Sequence, residues 1–389
     1  MKEKLSLPKG WELKTIGDVC VSASSNVSQN KLVDDEGDYP IFGASGLIKK
    51  VSFYHRDKPY LSIVKDGSGV GRVTKMDAYT SVIGTLQYIL PKENIDLDYL
   101  NYSLMSVDFK KYVAGAAIPH IYFKDYKNEP FLWMPLPEQQ RIVSILDECF
   151  TAIAKAKANA EQNLKNAKEL FESYLQGVFE KKGDGWEEKI IKEVCELKSG
   201  TTISTNLERS EGDVLYVKVG DMTLPENEVE INTSSRFVYR AEIKANQIIP
   251  NGAIIFPKRG GAIATNKKRI IIKPTIVDLN TMAIIPGNKI DADYFFHWFQ
   301  LIDLNSISNG TSIPQINNYS FDDVKIPFPK SKETQQTIVR QLDALRAETQ
   351  KLEAVYQKKI ADLEELKKSI LQKAFAGELK NEVLQNELV

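Results

Sequence analysis

The chain repeats itself. Displaced by 196 positions, Gln139-Gln140-Arg141-Ile142-Val143-Ser144-Ile145-Leu146-Asp147 falls on Gln335-Gln336-Thr337-Ile338-Val339-Arg340-Gln341-Leu342-Asp343, and the register runs without a gap to Phe179 over Phe375. Fourteen of the 41 aligned pairs are identical, more than chance gives at one fixed offset. Upstream, at a displacement of 195, Ile89-Leu90-Pro91 lies on Ile284-Ile285-Pro286, Ile95-Asp96 on Ile290-Asp291, and Gly115 with Ile118-Pro119 on Gly310 with Ile313-Pro314. At a displacement of 175, Trp11, Ile16, Val19 and Cys20 match Trp186, Ile191, Val194 and Cys195. Self-similarity on this scale describes a tandem duplication. Each copy is a variable globular part followed by a more similar helical part.

The helical parts have the plainest physics. After Pro135-Leu136-Pro137, residues 138–179 contain no proline and, until Gly177, no glycine. Leu146, Ile153, Ala160, Ala167 and Tyr174 recur every seven residues, with Ile142, Cys149, Ala156 and Leu170 on the neighbouring position. That spacing predicts a heptad seam. In the second copy Ile338, Leu342, Leu345, Leu352, Tyr356, Leu363, Leu366 and Ile370 form the stripe, with Thr349 and Lys359 read as polar interruptions. At about 1.5 Å per residue, roughly 40 residues make a helix about 60 Å long. A head of about 140 residues has a radius of gyration of about 15 Å and cannot cover such a helix alone. The two helices are therefore expected to pair, antiparallel because each is tied to its own globular head.

The heads alternate strand-like runs with loops. Tyr60–Val64 and Thr85–Leu90 read as strands in the first copy, and Asp96 to Val113 as a helix with Asp96 as its N-cap. Residues 214–219, 253–256, 270–272 and 282–285 read as strands in the second, with an equivalent helix from Asp291. Charge in these mixed α/β heads is uneven. Lys49, Lys50, Arg56, Lys58, Lys65, Arg72 and Lys75 face only Asp57 and Asp66 between Ile41 and Lys75. Lys258, Arg259, Lys267, Lys268, Arg269 and Lys273 meet no acid between Ile254 and Lys273. Each cluster surrounds a strand that runs into a glycine-bearing loop, Lys65-Asp66-Gly67-Ser68-Gly69 or Lys258-Arg259-Gly260-Gly261. Glycine lets a backbone approach a phosphate, Lys and Arg neutralise it, and Arg can read guanine. A single cluster of this kind is usually a solvated face. Two at matching places in a duplicated chain point to a polyanion site.

That site must be local, because 51 Lys and Arg against 52 Asp and Glu leave a net charge of −1 and a pI near 6.4, without the basic excess of a dedicated nucleic-acid binder. Three cysteines and three histidines, widely scattered, give neither a disulfide framework nor a zinc site. No apolar signal core opens the sequence and no stretch offers eighteen unbroken apolar residues, so a cytoplasmic location is expected. Gly67-Ser68-Gly69-Val70-Gly71 lacks the ending of a phosphate loop, and no HExxH, GxSxG or paired CxxC is present. His120 is replaced by Gln315 in the second copy, which excludes a duplicated histidine catalyst. No residue is assigned a catalytic or metal-binding role.

Pro137-Glu138-Gln139-Gln140-Arg141-Ile142-Val143 followed by Leu146-Asp147 resembles the central region of type I restriction–modification DNA specificity subunits, and Glu333-Thr334-Gln335-Gln336-Thr337-Ile338-Val339 with Leu342-Asp343 resembles its C-terminal counterpart. The Leu371–Leu379 ending and the Gly-Trp start of each copy fit the same family. The resemblance implies an α+β architecture in which two target-recognition domains, 1–137 and 183–332, are separated by helical spacers, 138–182 and 333–389, packed as an antiparallel coiled coil. It implies that each domain reads one half of an asymmetric DNA site, while the helices set the gap and dock two modification subunits. A helix of about 60 Å bounds that gap at fewer than about 18 base pairs. S-adenosylmethionine then belongs to the modification subunits, ATP and Mg to restriction subunits, and this chain binds no cofactor. Under this reading the DNA-facing residues are Lys49, Lys50, Arg56, Lys65, Ser68, Arg72, Lys75, Lys258, Arg259, Lys267, Lys268 and Arg269. The helix-pairing residues are Ile142, Leu146, Ile153, Leu170, Tyr174, Ile338, Leu342, Leu345, Leu352, Leu363, Leu366 and Ile370. One rival reading is a coiled-coil scaffold with protein-binding heads and no DNA-reading role; the other, an enzyme that methylates or cuts DNA by itself, would need a further catalytic domain bearing an S-adenosylmethionine or nuclease motif.

Overall fold

The computed structural model describes residues 7, 9–115, 117–310 and 312–376. The opening residues Lys2, Glu3, Lys4 and Pro8, and the end of the terminal motif from Gly377 onward, lie outside them. The chain forms two compact units, one of Met1–Glu161 with Gln357–Val389, the other of Gln162–Tyr356. Each unit holds one head, the stretch of long helix attached to it, and a stretch of the other long helix. Among the described residues, no helix is long and apolar enough to cross a membrane.

In the first unit a four-stranded antiparallel sheet has Tyr60–Val64 inside it, between Leu86–Pro91 and Val73–Met76, with Cys20–Ser24 at one edge. Every residue of Tyr60–Val64 is buried. The period of two explains this: Leu61 and Ile63 enter one core with the helices, while Tyr60 and Val64 enter a second core beneath the three-stranded sheet containing Tyr39–Gly43. The second unit repeats the plan. Ile254–Pro257 is again flanked on both sides, Ile254 and Phe256 point to one core, and Ile255 points to the other.

The duplication persists in the hydrogen bonds. Asp96 caps helix Leu97–Ser106 by accepting from the amides of Asp98 and Tyr99, and Asp291 caps Ala292–Gln300 by accepting from Asp293 and Tyr294. The first helix stops short of the expected Val113, because Val107 turns extended and Asp108 caps a separate turn, Phe109–Tyr112. Tyr99 donates to the Leu132 carbonyl at 2.8 Å, Tyr294 to that of Pro327 at 2.9 Å. Gln139, fully buried, accepts from the Asp96 amide and donates to the carbonyls of Asn94 and Met134. Gln335 does the same with Asp291, Lys289 and Pro329. The repeated glutamine thus fastens each head to its long helix.

The long helices span Leu136–Glu180 and Lys332–Phe375, with Pro137 in the first turn, where its missing N–H costs nothing. They pack antiparallel. In the first unit Lys157 pairs with Glu364 at 2.6 Å and the Lys367 ammonium lies over the Phe150 ring, so one sequence rises as the other falls. In the second unit the Arg346 guanidinium lies over Phe171, while Leu175 and Phe179 share a core with Leu342 and Val339.

Most expected seam residues are inside. Ile142, Leu146, Ile153 and Ile370 are buried in the first unit, with Leu363 and Leu366 against them. Leu342 is buried in the second, with Ile338 against it and Leu345 half-buried. Three expectations fail: Leu170, Tyr174 and Leu352 are 50%, 43% and 42% exposed. From Leu146 to Tyr174 is four heptads, over which a straight helix lags by about 80°. The buried positions of the first helix pass from Ala160 and Ala167 to Leu175 and Phe179, which enter the core of the second head beside Tyr294. In the second helix Gln335, Leu342, Thr349 and Ile370 are the buried positions of one seven-residue register. Thr349 is in the seam rather than interrupting it, and Leu352 is beside it.

Candidate nucleic-acid interface

Each basic cluster grows from the central strand of its head. Tyr60–Val64 turns through residues 65–71 into Val73–Met76, closed by Val64 N–H to Arg72 O at 3.0 Å and Gly71 N–H to Val64 O at 2.9 Å. Gly71 sits at φ 87° against Phe109, whose Cβ would be 2.5 Å from an added side chain, so only glycine fits there. Lys65, Ser68 and Arg72 project from this hairpin. Lys65 pairs with Asp66 at 3.3 Å, Ser68 is exposed, and the exposed Arg72 donates to the Ala44 carbonyl.

The other expected residues of the first head have varied surroundings. Lys50 is exposed. Lys49 donates to the Leu32 carbonyl at 2.8 Å, and Lys75 is engaged by the Asp98 carboxylate at 2.7 Å. The half-buried Arg56 stacks on the Tyr88 ring at 4.4 Å.

In the second head Ile254–Pro257 leads to Lys258, which donates to Ser199 Oγ at 3.0 Å, and to the exposed Arg259. Burial, with Arg259 alongside, lowers the proton affinity of Lys258. Lys267 is half-exposed.

Lys268 overturns its expectation. It is 1% exposed, donates to the Ile302 carbonyl at 2.6 Å and to Asn266 at 3.1 Å, and lies over the Phe299 ring. Burial pushes its pKa down to about 8. Its ammonium is a buried hydrogen-bond hub, not a phosphate contact. The half-buried Arg269 is likewise turned inward, donating to the carbonyls of Lys268 and Met222. The run Lys267-Lys268-Arg269 leads into strand Arg269–Ile271, and alternation along it sends Lys268 into the core.

Sequence reasoning missed a hairpin that closes on each cluster. Residues 114 and 120 form a main-chain bridge, as do 309 and 315, and residues 120 and 315 also bridge to Asp66 and Arg259. The signal was visible, since Gly115 with Ile118-Pro119 recurs as Gly310 with Ile313-Pro314. Among the described residues, no group of three His, Cys, Asp or Glu is arranged to hold a metal ion.

The chain is thus a two-headed, duplicated α/β protein whose long helices pair antiparallel, with a basic loop after the central strand of each head. The model of the type I restriction modification DNA specificity domain matches residues 8–165 and 183–364, and the chain belongs to this family. It is 22% identical over 408 aligned residues, covering 96% of this chain and 89% of the other, to the type I restriction enzyme EcoDI specificity subunit of Escherichia coli. It is 26% identical over 184 residues, 44% of this chain and 41% of the other, to the type I restriction enzyme MjaIX specificity subunit of Methanocaldococcus jannaschii. Its fold is similar to a chain of a type I restriction–modification system solved to explain complex assembly and conformational transition, with TM-score 0.75 and 17% identity, covering 97% of this chain and 100% of that one. The crystal structure of the HsdS subunit from Thermoanaerobacter tengcongensis gives TM-score 0.60 at 17% identity, covering 97% of this chain and 100% of that one.

Proposed function

We propose that each head of this DNA specificity subunit reads one half of a bipartite, asymmetric duplex site, and that the long helices set the unspecified gap and dock two modification subunits. The observation that carries this reading is one framework bearing unlike side chains. The Gln139 and Gln335 junctions and the bridged hairpins repeat, whereas His120 is replaced by Gln315 and Tyr102 by His297 at the equivalent positions of the second copy. Equal frameworks suit two copies of one partner, and unequal side chains suit two different half-sites. An open groove of about 490 Å³ lined by Leu170, Tyr174 and Val178 on the first long helix offers apolar surface for such docking.

In this assignment the methyl transfer and its S-adenosylmethionine belong to the modification subunits, and ATP and Mg to restriction subunits. This chain supplies recognition, in the cytoplasm where the host DNA lies. Removing one heptad from both long helices together shortens the spacer by about 10 Å, about three base pairs of duplex. Methylation mapping is expected to show the gap shortened and both half-sites unchanged, and an unaltered gap would defeat the spacer model. Lys258→Ala with Lys267→Ala is expected to weaken DNA binding by the assembled complex and flatten its salt dependence by about one unit of log–log slope per lysine, with the preferred sequence unchanged. Binding that ignores salt would instead favour the protein scaffold.

A further inference from the structure

We propose that Ile118 and Ile313 are apolar wedges, each pressing into a base step in one half of the bound duplex. The inference rests on the DNA-reading function above and names the protein side of a contact within it. Ile118 is 65% exposed and Ile313 63%. One exposed isoleucine is ordinary. Two at the same place, beside side chains the two copies no longer share, mark a position that both hairpins keep, and isoleucine is a poor choice for a hairpin tip that only meets water.

The tips are also held in place. Ala114 and His120 exchange main-chain hydrogen bonds at 2.9 and 2.8 Å, Gly67 N–H donates to Pro119 O at 2.8 Å, and Ile121 N–H to Lys65 O at 2.9 Å. Asn309 with Gln315, Gly260 with Pro314 and Ile316 with Lys258 reproduce all of these at 2.8 Å. Gly115 at φ 89° and Gly310 at φ 101° close the turns, where an added Cβ would be 2.4 Å from the Ile118 carbonyl oxygen or 2.8 Å from that of Ile313. A β-branched side chain on so fixed a backbone has little freedom left to lose on binding.

The surrounding charge selects the occupant. The bonds that hold Pro119 and Pro314 come from the loops carrying Lys65, paired with Asp66, and the exposed Arg72 in one head, and Lys258 and Arg259 in the other. Basic side chains beside an exposed aliphatic tip match duplex DNA, with cations on the phosphates and the aliphatic group against the bases. Proteins that unstack a base step use this combination, inserting residues such as Ile or Leu at a cost of a few kcal/mol per step. The neighbouring His120 and Gln315 differ between heads, so the wedge is common to both half-sites and the sequence reading is not.

The test uses the complex assembled with modification subunits on a duplex carrying the mapped site, with 2-aminopurine placed along each half. Both isoleucines are exposed, so Ile118→Ala and Ile313→Ala are expected to keep the wild-type melting temperature and subunit stoichiometry. Wild type should raise 2-aminopurine emission in both halves. Ile118→Ala should abolish the rise in one half only and Ile313→Ala in the other, each weakening binding about tenfold at an unchanged salt slope. A mismatch at the affected step, which removes the unstacking cost, should restore affinity to within about twofold of wild type. Alanine variants that keep emission and affinity, while Lys258→Ala still flattens the salt slope, would overturn the wedge and leave the DNA-reading function standing. Loss of modification subunits from the alanine variants would also overturn it, marking the tips as protein contacts. A wild-type complex that shows no salt-sensitive duplex binding would remove the DNA-reading function itself.

Discussion

Gln139 satisfies three main-chain groups with one buried side chain, and no hydrophobic pattern reveals it. Gln139→Ala would leave the Asp96 amide and the Asn94 and Met134 carbonyls without that partner. Buried unsatisfied groups cost about 1–3 kcal/mol each, so a loss of about 3 kcal/mol is expected in chemical unfolding of the first unit, and Gln335→Ala should do the same in the second. Lys268 gives a contrasting case. Lys268→Ala is expected to lower stability by about 2 kcal/mol through lost packing and an abandoned carbonyl, with the salt slope of DNA binding unchanged. The sequence presents Lys268 as one member of a basic run, and only the direction of its side chain tells it apart from Lys267. His297 adds a pH dependence. Burial lowers its proton affinity below the ordinary 6.5, against the opposing hydrogen bond to Asp343 and the charge of Asp293, with Arg346 reinforcing the lowering. The unfolded chain therefore takes the proton first. Stability from this site is intact above about pH 6.5 and falls as the pH drops toward the lower folded value. Tyr102, bonded to Asp147 at the matching junction, is pushed up and stays neutral in that range. Hydrogen exchange between about pH 7.5 and 5.5, corrected for its intrinsic pH dependence, should show helix Ala292–Gln300 losing protection that Leu97–Ser106 retains.

Among the elements, the long helices were the most legible and their facing the least. Proline-free runs with seven-residue spacing announced two helices of roughly 40 residues, and the structure has them at 45 and 44. Which side faces inward depends on whether the helix follows 3.5 or 3.6 residues per turn, a difference of about 20° per heptad that accumulates. Leu146 and Tyr174 share a heptad column in the sequence, yet one is buried and the other exposed. Polar seam residues mislead in the opposite sense, since Thr349 is 2% exposed while its neighbour Leu352 faces out. Leu342→Ala is accordingly expected to cost about 3 kcal/mol, and Leu352→Ala less than about 0.5 kcal/mol, in thermal unfolding of the second unit. Equal losses would restore the stripe drawn from the sequence.

At the scale of the whole molecule, the sequence by itself determined the duplication, the alternation of head and helix, the capping aspartates Asp96 and Asp291, and the place of a basic loop after each central strand. These are local or periodic properties, set by spacing, by backbone chemistry and by identities that survive copying. The pairing was also within reach, because the length of each helix outruns the domain attached to it, and so was its antiparallel sense, because each helix is tied to its own head. Only the tertiary structure decided that each compact unit takes in a stretch of both long helices, that Lys268 and Arg269 turn inward, and that Ile118 and Ile313 stand out on bridged hairpins. Those outcomes depend on which surfaces meet across hundreds of residues of chain. A side chain's exposure is a property of its neighbours in space, and a linear pattern records only its neighbours in sequence.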